Sequence, residues 1–153
     1  FVFAPSLWAL VGQDAATVSR LDIVAPMIYR RYPHRQGPAC LNHEWAALLG
    51  ALTARSGISF EKARAAMRLL SDIPIGARSA AELLEEGFPP QALESETAAA
   101  RGELPKDATL MPIIQLEDDR LDESVAAVRH SGAAGCGFFR WRREHIALLP
   151  DLG

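Results

Sequence analysis

The sequence predicts an α/β fold of parallel strands joined by right-handed helical crossovers. Three observations predict it. Four short apolar runs stand out, from Phe1 to Ala4, Ile23 to Tyr29, Leu110 to Leu116 and Gly135 to Trp141. Each is near-continuously apolar, as strands covered on both faces of a parallel sheet are. Helical patterns lie between the runs, and strand alternating with helix implies βαβ units with crossovers of one hand.

The elements follow in order. After the first run, Asp14 can cap a helix from Ala15 to about Leu21. The second run leads to three helical patterns. Asn42 is a candidate cap for His43 to about Ala54, which ends before Gly57, and Ser59 can cap Phe60 to about Leu70. Ser79-Ala-Ala-Glu82 fits a capping box whose helix stops before Gly87. Pro89-Pro90 starts a further segment, helical from Gln91 to Arg101. The third run carries Pro112, which cannot donate a ladder hydrogen bond and weakens the strand reading of its first half. Asp122 can cap Glu123 to about His130, Gly132 ends that helix, and the fourth run is followed by a short helix.

Composition narrows the function. The 153 residues are 49% hydrophobic and 23% charged, a globular balance, with a net charge of −3. No overall cationic field favours nucleic acid, and no apolar run reaches the roughly 20 residues of a membrane helix. Cys40 and Cys136 lie far apart in sequence, unlike the clustered Cys and His of a metal site, so neither a metal nor a cofactor is expected.

The strand–helix order suits an open doubly wound sheet or part of a (β/α)₈ barrel. A dinucleotide fold would place Gly-x-Gly-x-x-Gly after its first strand, where this chain has Pro5-Ser6-Leu7-Trp8. The segments Val11-Gly12-Gln13-Asp14 and Asp22 to Tyr29 resemble the sixth-strand region of glycoside-hydrolase-like TIM barrels of the chitinase-related kind. Pro112 to Leu116 and Gly135 to Trp141 are similar to the seventh and eighth strands of such a barrel. The resemblance covers nearly the whole chain but only the back half of a barrel, about the last four βα units, and the stretch from Tyr29 to Leu110 exceeds a minimal crossover. It implies a carbohydrate-active hydrolase domain whose general acid, at the end of the fourth strand, lies in an N-terminal half ahead of Phe1. The chain opens on Phe1 rather than Met, which fits a break at a strand.

Function in a parallel barrel sits at the C-terminal ends of the strands, and strand alternation selects the side chains there. Ala25, Met27 and Tyr29 share one face, opposite Val24, Pro26 and Ile28. Tyr29 then points into the mouth, to meet a substrate oxygen or to pack as a buried tyrosine. Ile113, Gln115 and Glu117 share a face. Gln115 is costly to bury unless paired, and could bind sugar hydroxyls or bridge barrel layers. Glu117 and Asp118 are candidate catalytic carboxylates, since most glycosidases use two. Asp118 and Asp119 could instead favour the start of the next helix. Phe139 and Trp141 share a face with Gly137, and Trp141 is similar to the aromatic floor under the sugar at the reactive subsite. Arg30 and His34 belong to the one local basic cluster, able to hold an anionic group or to lie solvated on a loop.

The expected site thus comprises Tyr29, Glu117 and Asp118 for chemistry, with Met27, Arg30, His34, Gln115, Phe139 and Trp141 for binding. The expected partners are a carbohydrate and the other half of the barrel. A non-catalytic carbohydrate-binding half-barrel is the alternative, and a barrel enzyme acting on an anionic metabolite is a third. Four strands would leave two open edges and an uncovered inner face of Met27, Tyr29, Ile113, Phe139 and Trp141, which invites self-association.

Overall fold

The computed structural model of the chain describes residues 2–18, 20–33 and 39–139. Its architecture is mixed α/β with parallel strands. β1 (Val2–Phe3), β3 (Pro26–Met27), β5 (Ile113–Gln115) and β6 (Gly137–Phe139) form a sheet in that spatial order, every pair parallel. β2 (Ile23–Val24) and β4 (Thr109–Leu110) form a second parallel pair. Strand order follows chain order without reversal.

The two sheets are one ladder with a gap. Ile23 faces Thr109, Val24 faces Leu110 and Met27 faces Ile113, the same offset throughout. Met111 donates its N–H to Val24 O at 2.9 Å, and Ile28 donates to Ile113 O at 2.9 Å. The residue whose N–H should fill the rung between them is Pro26, which has none to give. Pro112, suspected from the sequence, is harmless. The ladder towards β6 begins with its carbonyl, which accepts from Gly137 at 2.8 Å.

Helices cover one face of the sheet. A short 3₁₀ helix (Pro5–Leu7) runs into α1 (Trp8–Val11), and α2 (Ala15–Val18) follows. α2 is shorter than the pattern to Leu21 suggested; Asp14 accepts from the Ala16 N–H at 3.1 Å. α3 (Leu41–Ser56), α4 (Phe60–Ser71), α5 (Ala80–Glu86) and α6 (Gln91–Glu103) fill the long crossover, and α7 (Leu121–His130) precedes β6. Ser59 and Ser79 cap α4 and α5 through the Lys62 and Glu82 N–H groups. Two expected caps differ. α3 begins at Leu41 with no side-chain cap, and Asn42 is buried, its amide given to the loop after β3. α7 begins at Leu121, and Asp118 rather than Asp122 serves its first turn.

Side-chain alternation sorts the core. Ile28 and Ile114 point to the helical face, among Trp45 and Leu49 of α3, Leu83 of α5, Leu93 of α6 and Val128 of α7. Each fully buried Leu or Ile there contributes about 1.5–3 kcal/mol. A second cluster at the β2–β4 end gathers Trp8, Val18, Val24, Leu104 and Leu110. The opposite face carries a smaller group, Tyr29, Tyr32, Ala39 and Cys40, with Phe3, Met27, Ile113 and Phe139 half-buried against it. Cys40 and Cys136 are not joined in a disulfide.

Candidate functional site

The strands run in parallel, so their carboxyl ends gather on one side, and the candidate residues follow from there. Past Met27 the second run continues to Tyr29, which bridges to Cys40. Tyr29 takes a hydrogen bond from Leu41 N–H at 3.0 Å and gives its own N–H to Ala39 O at 2.9 Å, so returning chain covers the edge that β1 leaves. The offset that sets Met27 beside Ile113 sets Tyr29 beside Gln115, and Gln115 faces Phe139. Tyr29, Gln115 and Phe139 thus form one row across the strand ends.

The row is aromatic with two polar interruptions. The rings of Tyr29 and Phe139 stack at 5.0 Å with 20° between planes, and Tyr32 leans on both, at 5.8 and 6.4 Å. The hydroxyl of Tyr29 and Oε1 of Gln115 are both buried without a hydrogen-bond partner among the described residues. Each such group costs about 1–3 kcal/mol. Burial, with Cys40 and Tyr32 alongside, pushes the Tyr29 hydroxyl well above its ordinary pKa. It therefore stays protonated and remains a donor. Gln115 and Tyr32 line a cavity of about 370 Å³ together with Arg31, Glu85, Glu117 and Asp119.

Arg30 organises the rim from beneath. Its side chain is 3% exposed. It donates Nε to Asp118 Oδ2 at 2.8 Å and Nη1 to Phe88 O at 2.9 Å, while Nη2 reaches both Asp118 and Asp119. Asp118 also accepts from the Ser124 hydroxyl at 2.7 Å and the Arg120 N–H at 2.9 Å. It thus ties the end of the second run to the start of α7. Burial acts to raise the Asp119 pKa, but Arg30, its hydrogen bonds and Arg31 outweigh it and hold the carboxyl below its usual value. Gly87 lets this meeting occur: a Cβ there would lie 2.5 Å from Arg31 Cβ and 2.7 Å from Arg30 O.

The structure brings together most of the residues expected from the sequence. Tyr29, Gln115 and Phe139 share the row, and Met27 lies one step below Tyr29 on the same face. Glu117 is exposed on the cavity wall. Arg30 and Asp118 are joined to each other, which is a structural commitment for both. His34 and Trp141 lie outside the described residues. Tyr32 and Asn42 were missed. Asn42 accepts from the Tyr32 N–H at 3.2 Å and donates to Tyr32 O at 3.0 Å and Leu84 O at 3.1 Å, so it sets where that ring sits. Only its place at a helix start marked it, and that pointed to a cap.

Comparison with protein-family models, curated proteins and solved structures finds no match to this chain.

Proposed function

We propose that the chain is a carbohydrate-active domain, the carboxyl-terminal half of a parallel (β/α)₈ barrel, whose strand-end cleft binds sugar. One observation carries the reading: two buried polar groups without a partner among the described residues, Tyr29 Oη and Gln115 Oε1, stand in one row at the carboxyl ends of parallel strands beside stacked rings. A donor and an acceptor beside an apolar surface suit the hydroxyls and C–H faces of a sugar. The unreversed strand order supports a barrel segment over a doubly wound sheet, whose order turns back at a switch point. The basic loop speaks less for an anionic metabolite, because Arg30 and Arg31 both meet the chain's own Asp119.

Within this reading the described residues bind more than they cleave. Asp118 is committed to four hydrogen bonds, and Asp119 is kept anionic and so is not poised to give up a proton. Glu117, exposed on the cavity wall, is the residue proposed for chemistry, with the general acid supplied from beyond the described residues. Binding without turnover is the second reading, and the commitment of Asp118 to Arg30 favours it.

Calorimetric titration with oligosaccharides of several linkage types, with reducing ends followed in parallel, tests both. Tyr29→Phe and Gln115→Leu should each weaken sugar binding about tenfold while raising thermal stability, because each removes an unsatisfied buried group. Turnover that Glu117→Gln abolishes supports the hydrolase, and binding with no turnover supports the binding module. No affinity for any oligosaccharide overturns both.

A further inference from the structure

A second cavity lies away from the strand-end cleft, among the helices. It is an open cleft of about 780 Å³ between the 3₁₀ turn and α1 on one side and α3, α4 and α6 on the other. Trp8, Trp45, Leu48 and Met67 give it apolar walls, and Ser6 and Glu96 give it a polar one. Glu96 is 1% exposed. Ser6 holds it, donating its N–H to Oε2 at 3.0 Å and its hydroxyl to Oε1. These donors satisfy part of the carboxylate, whose two oxygens offer about four lone-pair sites. No Lys, Arg or His forms an ion pair with it among the described residues, and burial raises its pKa to about 7 against the pull of the two Ser6 bonds.

Two further features narrow what could enter. Among the described residues the other carboxylates lining the cavity are Asp72 at the end of α4 and Glu103 at the end of α6, and no Lys or Arg lines it. The two indoles also differ. Trp8 donates its N–H to Phe3 O at 2.6 Å, whereas the Trp45 N–H is buried with no partner among the described residues. An acidic, aromatic-walled cavity favours a cation with an apolar body, because a cation pairs with carboxylate and is attracted to indole faces.

We propose that this cavity binds a small organic amine, its ammonium group on Glu96 and its apolar body between Trp8 and Trp45. The site is separate from the cleft assigned to sugar, shares no lining residue with it, and stands whether or not that assignment holds.

Phenethylamine is a suitable probe, with phenethyl alcohol as its neutral counterpart, titrated into the full chain by calorimetry. The amine should bind at least about tenfold more tightly than the alcohol. Glu96→Gln should remove that preference, and Gln115→Leu should leave it unchanged. Should Glu96→Gln fail to fold by circular dichroism, the wild-type chain decides alone. Its affinity for the amine should fall severalfold from about pH 8 to about pH 5, as Glu96 takes up a proton while the amine stays charged. Equal affinity for amine and alcohol, or amine binding indifferent to pH, overturns the proposal. So does the absence of binding by either probe.

Discussion

Glu96 pays for its position in a way that pH can reveal. Burial lifts its pKa from 4.5 to about 7 in the folded chain. Between those values the unfolded chain has released the proton and the native one still holds it. Stability is therefore full below pH 4.5 and declines as pH rises through 7, by about 3 kcal/mol in all from this group. Urea unfolding across that range should show the decline in the wild-type chain and a flatter profile in Glu96→Gln. An unchanged slope would remove Glu96 as its source. Nothing local in the sequence distinguishes this glutamate, which lies in the helical segment from Gln91 to Arg101. Its partner Ser6 is 90 positions away. Arg30 and Asp118 likewise meet across 88 positions, which is why each looked available for a ligand when taken alone. Tyr29, Gln115 and Phe139 were legible because their signal, alternation at a strand end, is local.

At the scale of elements, the same division between local and distant causes holds. Ser59 and Ser79 act as caps because a cap needs only the turn that follows it. Asn42 departs from that role because Tyr32 and Leu84 offer its amide partners that three residues of sequence do not reveal. The split of the two central runs came from Pro26, whose N–H side was assigned only once the register with Met111 was known. Gly87 shows the same dependence. It ends α5 as expected, but its φ of 71° and the crowding by Arg30 and Arg31 make it a packing requirement as well. Gly87→Ala should cost roughly 3 kcal/mol. Gly57→Ala, left-handed but in open space, should cost about 1 kcal/mol. Equal losses in thermal unfolding would deny Gly87 any role beyond its turn.

For the whole molecule, the sequence foresaw parallel strands, helices between them and the sorting of side chains to two faces. It could not show that the apolar residues would settle, among the described residues, into three clusters. Nor did it reveal the cavity among the helices, since cluster membership depends on how α3 to α7 pack. One face of the sheet is well covered. On the other, Phe3, Met27, Ile113 and Phe139 are only half-buried, and the four-stranded sheet has β1 and β6 at its edges. Such a face gains by meeting another apolar surface. In light scattering the purified chain should run larger than a monomer, increasingly so with salt, as apolar association does. A monodisperse monomer at all salt concentrations would count against it.

The missing rung at Pro26 has a dynamic consequence. The β2–β4 pair has its own small core at Trp8, Val18, Val24 and Leu110, and the ladder joining it to β3 and β5 is interrupted. Cooperativity passes through continuous pairing and shared packing, and here both thin at the same level. The β2–β4 end should therefore open at lower free-energy cost than the upper sheet, with its amides exchanging faster than those of β5 in hydrogen exchange. Such fluctuations would be absorbed at the far end of the strands and leave the row of Tyr29, Gln115 and Phe139 still.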